Sequence, residues 1–244
     1  MPRYFIDIAY NGVAYKGYQR QRDEPSVQGT IEEKLSLLLK REVLTTGSSR
    51  TDAGVHAYQN IAHFESEDNL DVEQIVYKLN KMLPHDIVCN RIFEVEADFH
   101  ARFQAKSRKY LYRLNYVKDA FSINTSYYFR FGNLDVDLMN QAVRKLFAFE
   151  EFDCFCKLHG DNKTTLCQIM EAEWKQVSPG HLEFHVRSNR FLRGMVRGIV
   201  GTSILVGRGK ITVEEFASII ERKSLQDADF SPPGYGLYLT EIEY

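Results

Sequence analysis

The part of the sequence richest in groups that could do chemistry is residues 47–57, which read GSSRTDAGVHA. It contains one cation, Arg50, one carboxylate, Asp52, and one imidazole, His56. The glycines and small residues around them permit tight backbone geometry and the close approach of a ligand. In extended chain, Arg50 and Asp52 would share a side. The same residues also fit a turn in which Asp52 accepts backbone hydrogen bonds, and taken alone the segment favours that structural role.

The charges of the chain are unevenly distributed. Its 244 residues carry 31 Lys and Arg and 33 Asp and Glu, a formal net charge of −2, which argues against a general polyanion binder. Two stretches contain no acid: residues 102–113 hold five basic side chains and residues 187–210 hold six. The other 208 residues then have a net charge of −13. This pattern predicts either a cationic face for a polyanion or two unrelated solvated faces.

Location and thiol chemistry are also constrained. The first residues lack the apolar core of a signal peptide, and no run approaches the roughly 18 apolar residues of a membrane span, so a cytoplasmic protein is expected. The four cysteines are too few for a disulfide framework and are predicted to be reduced. Cys154, Cys156, His159 and Cys167 suggest zinc, but the C-x-x-C pairs of structural sites are absent. Core packing is favoured for them, and no metal is expected.

A mixture of strands and helices must position these groups. Alternating residues predict strands, the first of them buried on more than one side, over residues 3–10, 58–65, 87–95, 109–116, 167–177, 181–187 and 237–242, with a short β-rich segment at 43–49. Helical spacing predicts helices over 26–40, from 71 to Pro84, over 135–147 and 190–206, and from 212 onward. Ser26 and Thr212 are the expected N-caps. The order predicts an α+β fold of two halves, 1–105 and 106–244, each an antiparallel sheet with helices on one face.

The residues around Asp52 are not the only recognisable motif. The run RTDAGVHA at 50–57 resembles the active-site signature of the TruA-type tRNA pseudouridine synthases. Further segments match the family in the same order over nearly the whole chain; they are residues 10–21, 26–32, 99–112, 191–201 and 232–239. Such a series is far more specific than any one motif.

The resemblance implies a fold and a reaction. The fold would be two antiparallel-sheet halves of the RRM or ferredoxin-like kind, with helices on their outer faces and a central cleft. The reaction would detach a uracil from its ribose at N1, turn it, and rejoin it through C5, without cofactor or metal. The family's targets are uridines 38, 39 and 40 in the anticodon stem-loop of tRNA, and the family acts as a homodimer.

The resemblance also implies roles for individual residues. Asp52 would be the essential aspartate, which either attacks the sugar C1′ or removes a sugar proton to give a glycal; both routes stay open. Arg197 would pair with this carboxylate, which needs a cation to stay ionised when buried beside RNA. Arg50 would help extrude the target nucleotide. Tyr110 would stack on the uracil, and Leu237 would form an apolar wall of the pocket.

Further residues follow from the same comparison and from the charge pattern. Tyr112 is expected in the core, and His56 is expected to be structural or to support the site. Extruding a stacked base costs a few kcal/mol, which phosphate contacts can offset. The candidate RNA-binding residues are Lys16, Arg20, Arg102, Lys106, Arg108, Lys109, Arg190 and Arg193.

The sequence departs from the family at a few positions. The family usually has Gly at Ser49 and Asn at Gly198, and often His or Gln at the Arg193-Gly194 pair. None of these changes removes a catalytic group. They leave open the detailed RNA contacts.

Two hypotheses from other classes compete with an isomerase. One is a non-catalytic RNA-binding protein on the same scaffold, which retention of Asp52, Arg50, Tyr110 and Arg197 together argues against. The other is a metal-binding module built on the cysteine cluster described above.

Overall fold

The computed structural model of the protein describes residues 1–157 and 164–244. The strands in these residues are β1 (Arg3–Tyr10), β2 (Thr46–Gly47), β3 (His56–Glu65), β4 (Ile87–Val95), β5 (Ser107–Asn115), β6 (Tyr127–Tyr128), β7 (Ile169–Ser178), β8 (His181–Ser188) and β9 (Leu237–Glu243). The α-helices are α1 (Val27–Leu39), α2 (Val72–Met82), α3 (Val136–Arg144), α4 (Met195–Gly207) and α5 (Val213–Arg222).

The chain folds into two compact units, one of residues 1–106 and 238–244 and the other of residues 107–237. In the first unit the strands lie in the order β4-β1-β3-β9. Strand β1 is antiparallel to both β3 and β4, whereas β9 is parallel to β3. Nearly all of β9 thus belongs to the first unit, although sequence order places it in the second half. The division into domains 1–105 and 106–244 stays a prediction.

Strand β1 lies at the centre of the first unit's core. Tyr4, Phe5, Ile6 and Ile8 are each at most 2% exposed, so both faces of the strand are covered, as its sequence predicts. The antiparallel register with β3 places Ile6 opposite Ala62. A central strand with neighbours on both edges is therefore the rigid element from which the next loop departs.

The helix starts follow local capping chemistry. The helices α1, α2, α3 and α5 each begin directly after a residue whose side chain accepts a backbone N–H of the first turn: Ser26, Asp71, Asp135 and Thr212. At Thr212 the bond is reciprocal, because the carboxylate of Glu215 accepts the N–H of Thr212 to complete a capping box. These starts confirm the predicted caps.

The second unit is a sheet with helices attached to one strand. Strand β8 is antiparallel to both β5 and β7, and β6 pairs in parallel with β5. Trp174 of β7 is 1% exposed, and its indole N–H donates to Ser203 of α4 at 3.1 Å. The side chain of Asn140 in α3 bonds to the backbone N–H and C=O of Trp174 at 2.8 and 3.0 Å. Strand β7 thus anchors both helices.

One predicted helix is wrong at its start. The expected helix over 190–206 begins only at Met195, because Gly194 adopts a left-handed conformation at φ +77°. A residue in that conformation interrupts α-helical geometry, and glycine takes it without the steric penalty of a Cβ. Arg190 and Arg193 therefore lie on the segment before α4 rather than on the helix.

The β-rich segment 43–49 is also shorter as a strand than predicted. Only Thr46 and Gly47 pair with β3. The residues before them bond to α1 instead: the N–H and hydroxyl of Thr45 donate to the buried carboxylate of Glu32 at 2.8 and 3.0 Å. Side chains of the helix thus take the place of a strand partner.

The fold class predicted from the sequence is confirmed as a mixed α+β fold whose strands are mostly antiparallel. Within the described residues, no helix combines the length and the apolar character that crossing a membrane requires.

Two histidine rings contact each other in the first unit: His63 in β3 and His100 in the segment between β4 and β5. The ring of His63 in β3 meets His100 edge to face at 4.7 Å, and its Nδ1 accepts the N–H of Ala101 at 3.2 Å. Burial, His100 and the nearby Arg3 lower the pKa of His63 to about 4, against the opposite effect of Glu65. Burial also lowers the pKa of His100. Both rings are therefore neutral in the folded protein at pH 7.

We expect this pair to make the protein less stable in mild acid. Between pH 6.5 and 4 the unfolded chain protonates His63 while the folded state resists it, so the unfolded state binds more protons and stability falls as pH falls. His63→Gln keeps an acceptor but cannot be protonated. In that window, the slope of the urea-unfolding free energy against pH should therefore be smaller than in wild type by up to about 1 kcal/mol per pH unit. The exposed His85, replaced in the same way, is the control. Identical slopes for wild type and His63→Gln would contradict this.

Candidate active site

The loop that carries Asp52, residues 48–55, lies between β2 and β3 and is called the Asp52 loop below. Few of its backbone bonds are internal; one joins the N–H of Val55 to the C=O of Asp52 at 3.2 Å. Its other partners come from residues 10–18, called the N-terminal segment, and from β3, where the C=O of Ile61 accepts the N–H of Ser48 at 2.7 Å. The N–H of Tyr18 donates to Thr51 O at 3.0 Å, and the N–H of Gly54 donates to Tyr15 O at 3.3 Å. The loop is thus held by chain far away in sequence.

Two glycines permit this close approach. A Cβ on Gly12 would lie 2.0 Å from the carbonyl oxygen of Val55, so any other residue would collide with the backbone. Gly17 has φ +116°, and a Cβ there would lie 2.8 Å from Thr51 O. The N-terminal segment can lie against the Asp52 loop only because both positions lack a side chain.

Within the loop, Thr51 is buried, Asp52 is half-buried and Arg50 is exposed. The structure therefore leaves a carboxylate that solvent still reaches, two residues from an exposed guanidinium. A turn across 52–55 is closed by the backbone carbonyl of Asp52, whereas the predicted turn used an aspartate side chain as the acceptor. This geometry combines the structural turn with an available carboxylate.

His56 is buried and held by a hydrogen bond and a ring contact. It is 2% exposed, its Nδ1 accepts the N–H of Gly12 at 3.2 Å, and its ring stacks on Tyr238 with centroids 4.5 Å apart. Because Nδ1 is an acceptor here, the neutral ring carries its proton on Nε2. These contacts support the structural role expected for His56.

The second unit holds the other candidate residues, beginning with two tyrosines of β5. Tyr110 is half-buried and meets the ring of Phe191 edge to face at 5.0 Å. Tyr112 is fully buried, and its hydroxyl donates to Pro233 O at 2.9 Å. Burial raises the pKa of Tyr112 well above its ordinary value. Tyr112 is therefore a core residue, and Tyr110 is the more accessible of the two.

Arg197 of α4 is half-buried and binds backbone in its own unit. Its Nε donates to Pro232 O at 2.6 Å and its Nη2 to Phe230 O at 3.2 Å. These two bonds use two of the five N–H donors of a guanidinium and tie residues 230–232 to the helix. Leu237, at the start of β9, is 7% exposed. The pairing of Arg197 with Asp52 stays a prediction.

The structure places the candidate RNA-binding cations in different surroundings. Lys16, Lys106 and Arg193 are exposed, and Arg102 and Arg190 are half-buried. Arg20 is largely exposed but approaches the carboxylate of Glu32 at 3.4 Å. Two of the candidates are engaged within the second unit: Arg108 is 8% exposed and donates to Asn189 O at 3.0 Å, and Lys109 pairs with Glu171 at 2.8 Å.

Comparison with known proteins identifies the family. A family model described as tRNA pseudouridine synthase matches residues 8–104 and 142–244. The chain belongs to the tRNA pseudouridine synthase family. It is therefore an enzyme of the isomerase class. The family and the enzyme class predicted from the motifs are both confirmed.

Individual relatives match this chain over nearly their full lengths. The chain is 46% identical to tRNA pseudouridine synthase A of Bacteroides thetaiotaomicron, over all of this chain and 91% of the relative. It is 44% identical to tRNA pseudouridine synthase A of Bacteroides fragilis, over 99% and 96% of the two chains. The protein of the same name from Anoxybacillus flavithermus is 37% identical over 100% and 99%.

The glycine at position 198, where the motif resemblance implies Asn, has a packing explanation. A Cβ at this position of α4 would lie 2.9 Å from the ring of Phe230 and 3.0 Å from the ring of Phe155. These two aromatic side chains fill the space that an Asn would need. The glycine costs helix propensity, up to about 1 kcal/mol relative to Ala, and it leaves room for the two aromatic rings.

The cysteine cluster that suggested zinc is only partly covered by the structure, since His159 lies outside the described residues. Cys154 and Cys167 are buried, Cys156 is half-buried, and all three are free thiols. Burial raises the pKa of Cys154 to about 12 and that of Cys167 to about 11. In the described part of the chain, no group of three His, Cys, Asp or Glu side chains is placed to hold a metal.

Sequence reasoning missed two residues outside the Asp52 loop whose side chains bond to it. Tyr10 and Asn60 are buried, and both bond to this loop. Tyr10 reads as an ordinary core residue in an alternating strand. Asn60 carried a signal, because an amide beside the apolar residues of a buried strand needs polar partners.

The glycine contacts give a test of how the loop is held. Gly17→Ala should cost about 1–3 kcal/mol of unfolding free energy and lower the isomerase turnover, because both φ +116° and the contact with Thr51 O oppose a methyl group. Gly132→Ala is the matched control, since Gly132 has φ +92° but no atom within 4 Å of its Cβ position. Chemical unfolding and single-turnover assays measure the two effects. An equal loss of turnover in both variants would show that contact with the Asp52 loop is not the cause.

Proposed function

We propose that this chain converts uridine to pseudouridine at positions 38, 39 and 40 in the anticodon stem-loop of tRNA, with Asp52 as the essential catalytic residue. The observation that carries the proposal is the RTDAGVHA loop, which presents an accessible carboxylate on a backbone held by distant chain. Family membership supports uridine isomerisation in tRNA. The motif resemblance supports the positions and the role of Asp52.

The chemistry explains why one carboxylate is enough. Glycosidases need two carboxyl groups because a water must be activated or a leaving group protonated. Here the C1′–N1 bond breaks, a C1′–C5 bond forms, and the C5 proton is lost while N1 gains one, so the product is an isomer. No water enters and no oxidant is needed. Asp52 either attacks C1′ or removes a sugar proton; both routes use the same carboxylate.

The remaining residues have roles that fit their surroundings. Arg50, which is exposed, helps extrude and hold the target nucleotide. Arg197 pairs with Asp52, using donors beyond its two backbone bonds. Tyr110 stacks on the uracil, which its half-buried ring permits, and Leu237 forms an apolar wall.

The finer architecture belongs to the same proposal. The two halves are RRM-like sheets with helices on their outer faces and a cleft between them, and two copies of the chain form a homodimer that binds one tRNA across both. The mostly antiparallel strands support the first part, and the motif resemblance supports the rest. The tRNA-modifying bacterial relatives support a cytoplasmic location.

The role of Asp52 has a direct test. Unmodified tRNA transcripts are incubated with wild type or with Asp52→Ala, and pseudouridine is mapped by carbodiimide-dependent primer-extension stops. Wild type should give stops at 38–40, whereas Asp52→Ala should give none and still bind tRNA. Asp137→Ala, at an exposed position of α3, should behave as wild type. Equal activity of wild type and Asp52→Ala would remove Asp52 from the mechanism, and a wild type that binds but forms no pseudouridine would favour a non-catalytic RNA-binding protein.

Binding to a polyanion should depend steeply on salt, because each phosphate contact releases counterions. Arg193 is exposed just before α4, so Arg193→Gln should weaken tRNA binding and reduce the slope of log affinity against log salt by about 1. Arg144→Gln, which removes an exposed cation outside the candidate set, is the control. Fluorescence anisotropy at several salt concentrations gives both values. A dissociation constant that does not change with salt concentration would contradict the proposal that a cationic surface binds the tRNA.

A further inference from the structure

Three buried polar side chains meet where β1 and β3 contact the Asp52 loop. Tyr10 ends β1, Thr51 belongs to the loop, and Asn60 lies in β3; they are 5%, 7% and 0% exposed. Burying a hydroxyl or an amide is costly unless it is hydrogen-bonded, so three such groups in contact form a unit that depends on its internal bonds.

The bonds among these groups start from the amide of Asn60. The Nδ2 of Asn60 donates to Ser49 O at 3.1 Å and to the hydroxyl oxygen of Tyr10 at 3.3 Å, which uses both protons of the amide. The hydroxyl of Tyr10 lies 2.8 Å from Thr51 Oγ1, and either hydroxyl can be the donor in this bond. The hydroxyl of Tyr10 thus bridges Asn60 and Thr51.

We propose that Tyr10, oriented by Asn60, is a positioning residue that sets the place of Asp52. The proposal rests on the function proposed above, in which Asp52 is the catalytic carboxylate. Thr51 directly precedes Asp52 and is held twice, by Tyr10 through its side chain and by the N–H of Tyr18 through its carbonyl at 3.0 Å. Because Asn60 also donates to Ser49 O, the backbone that leads into Asp52 is held at two of the three residues before it.

Such fixing matters because catalysis depends on the geometry of the reacting atoms. A misplacement of about 1 Å can cost on the order of 100-fold in rate without loss of binding. The nearby Gly12 and Gly17 bring the N-terminal segment against the loop, but they specify closeness rather than direction. The hydroxyl of Tyr10 supplies the direction, since a hydrogen bond weakens steeply when it is misaligned.

The chain contains a matched control for this hydroxyl. Tyr4 lies in the same strand β1, is 2% exposed, and its hydroxyl accepts the N–H of Leu70 at 3.2 Å in a part-buried hydrogen bond. Tyr4→Phe and Tyr10→Phe therefore remove the same group from the same strand. Only the second removes it from the Asp52 loop.

The experiment compares the two variants with wild type on a tRNA transcript. Tyr10→Phe should lower kcat about 10- to 100-fold, with KM and the tRNA dissociation constant within about twofold of wild type. Tyr4→Phe should leave kcat within about twofold of wild type. It should lower the melting temperature about as much as Tyr10→Phe does. Thr51→Val should lose turnover like Tyr10→Phe, and Thr51→Ser, which keeps the hydroxyl, should restore it. The double variant Tyr10→Phe with Thr51→Val should be little worse than either one, because both break the same bond.

A readout without substrate separates this proposal from the proposed function. Hydrogen exchange of the amides at residues 50–55 should be faster in Tyr10→Phe and unchanged in Tyr4→Phe. If wild type forms no pseudouridine but exchange responds in this way, the function fails and the positioning of the loop stands. Unchanged exchange in Tyr10→Phe overturns the proposal, and so does a kcat equal to that of Tyr4→Phe.

Discussion

The structure of the site depends on one constraint: the Asp52 loop takes most of its hydrogen-bond partners from residues about 40 positions earlier in the chain or from the strand that follows it. The backbone of Thr51 is bonded to Tyr18, that of Gly54 to Tyr15, and that of Ser49 to the side chain of Asn60. A loop without its own ladder is placed only when β1 and β3 are already paired. The position of the carboxylate is therefore a consequence of the first unit's sheet, on which the proposed role of Asp52 depends.

The second unit places its candidate residue by a similar device. Arg197 bonds to the carbonyls of Phe230 and Pro232, and a Cβ on Gly201 would lie only 2.1 Å from Asp229 O. Residues 229–232 can therefore lie directly on α4 because the helix lacks a side chain at that point. In both units a glycine allows backbone to approach, and a hydrogen bond then sets the orientation of the element that carries a candidate residue.

The charge pattern acquires a different meaning in the folded chain. The acid-free stretches contain 11 basic side chains, but the absence of acids nearby in sequence does not leave them all exposed. Across the second unit's sheet, Lys109 pairs with Glu171 and Arg113 with Glu183, while Arg108 is buried on a backbone carbonyl. Strand pairing brings acids from β7 and β8 beside the bases of β5. The exposed cations, such as Arg193, are thus a subset of those that the sequence counts.

The sequence by itself determined the elements and the family. The alternation in residues 3–10 and the N-caps Ser26 and Thr212 involve residues one to four positions apart. Because these causes are local, the elements could be predicted from the sequence. The motif around Asp52 resembled the tRNA pseudouridine synthases, and the membership in that family is confirmed. Only the tertiary structure decided that α4 starts after Gly194, where a backbone conformation interrupts an otherwise helical pattern, and that Tyr10 bonds to Thr51. That bond joins residues 41 positions apart, and no local pattern marks a partner that strand pairing alone brings into reach.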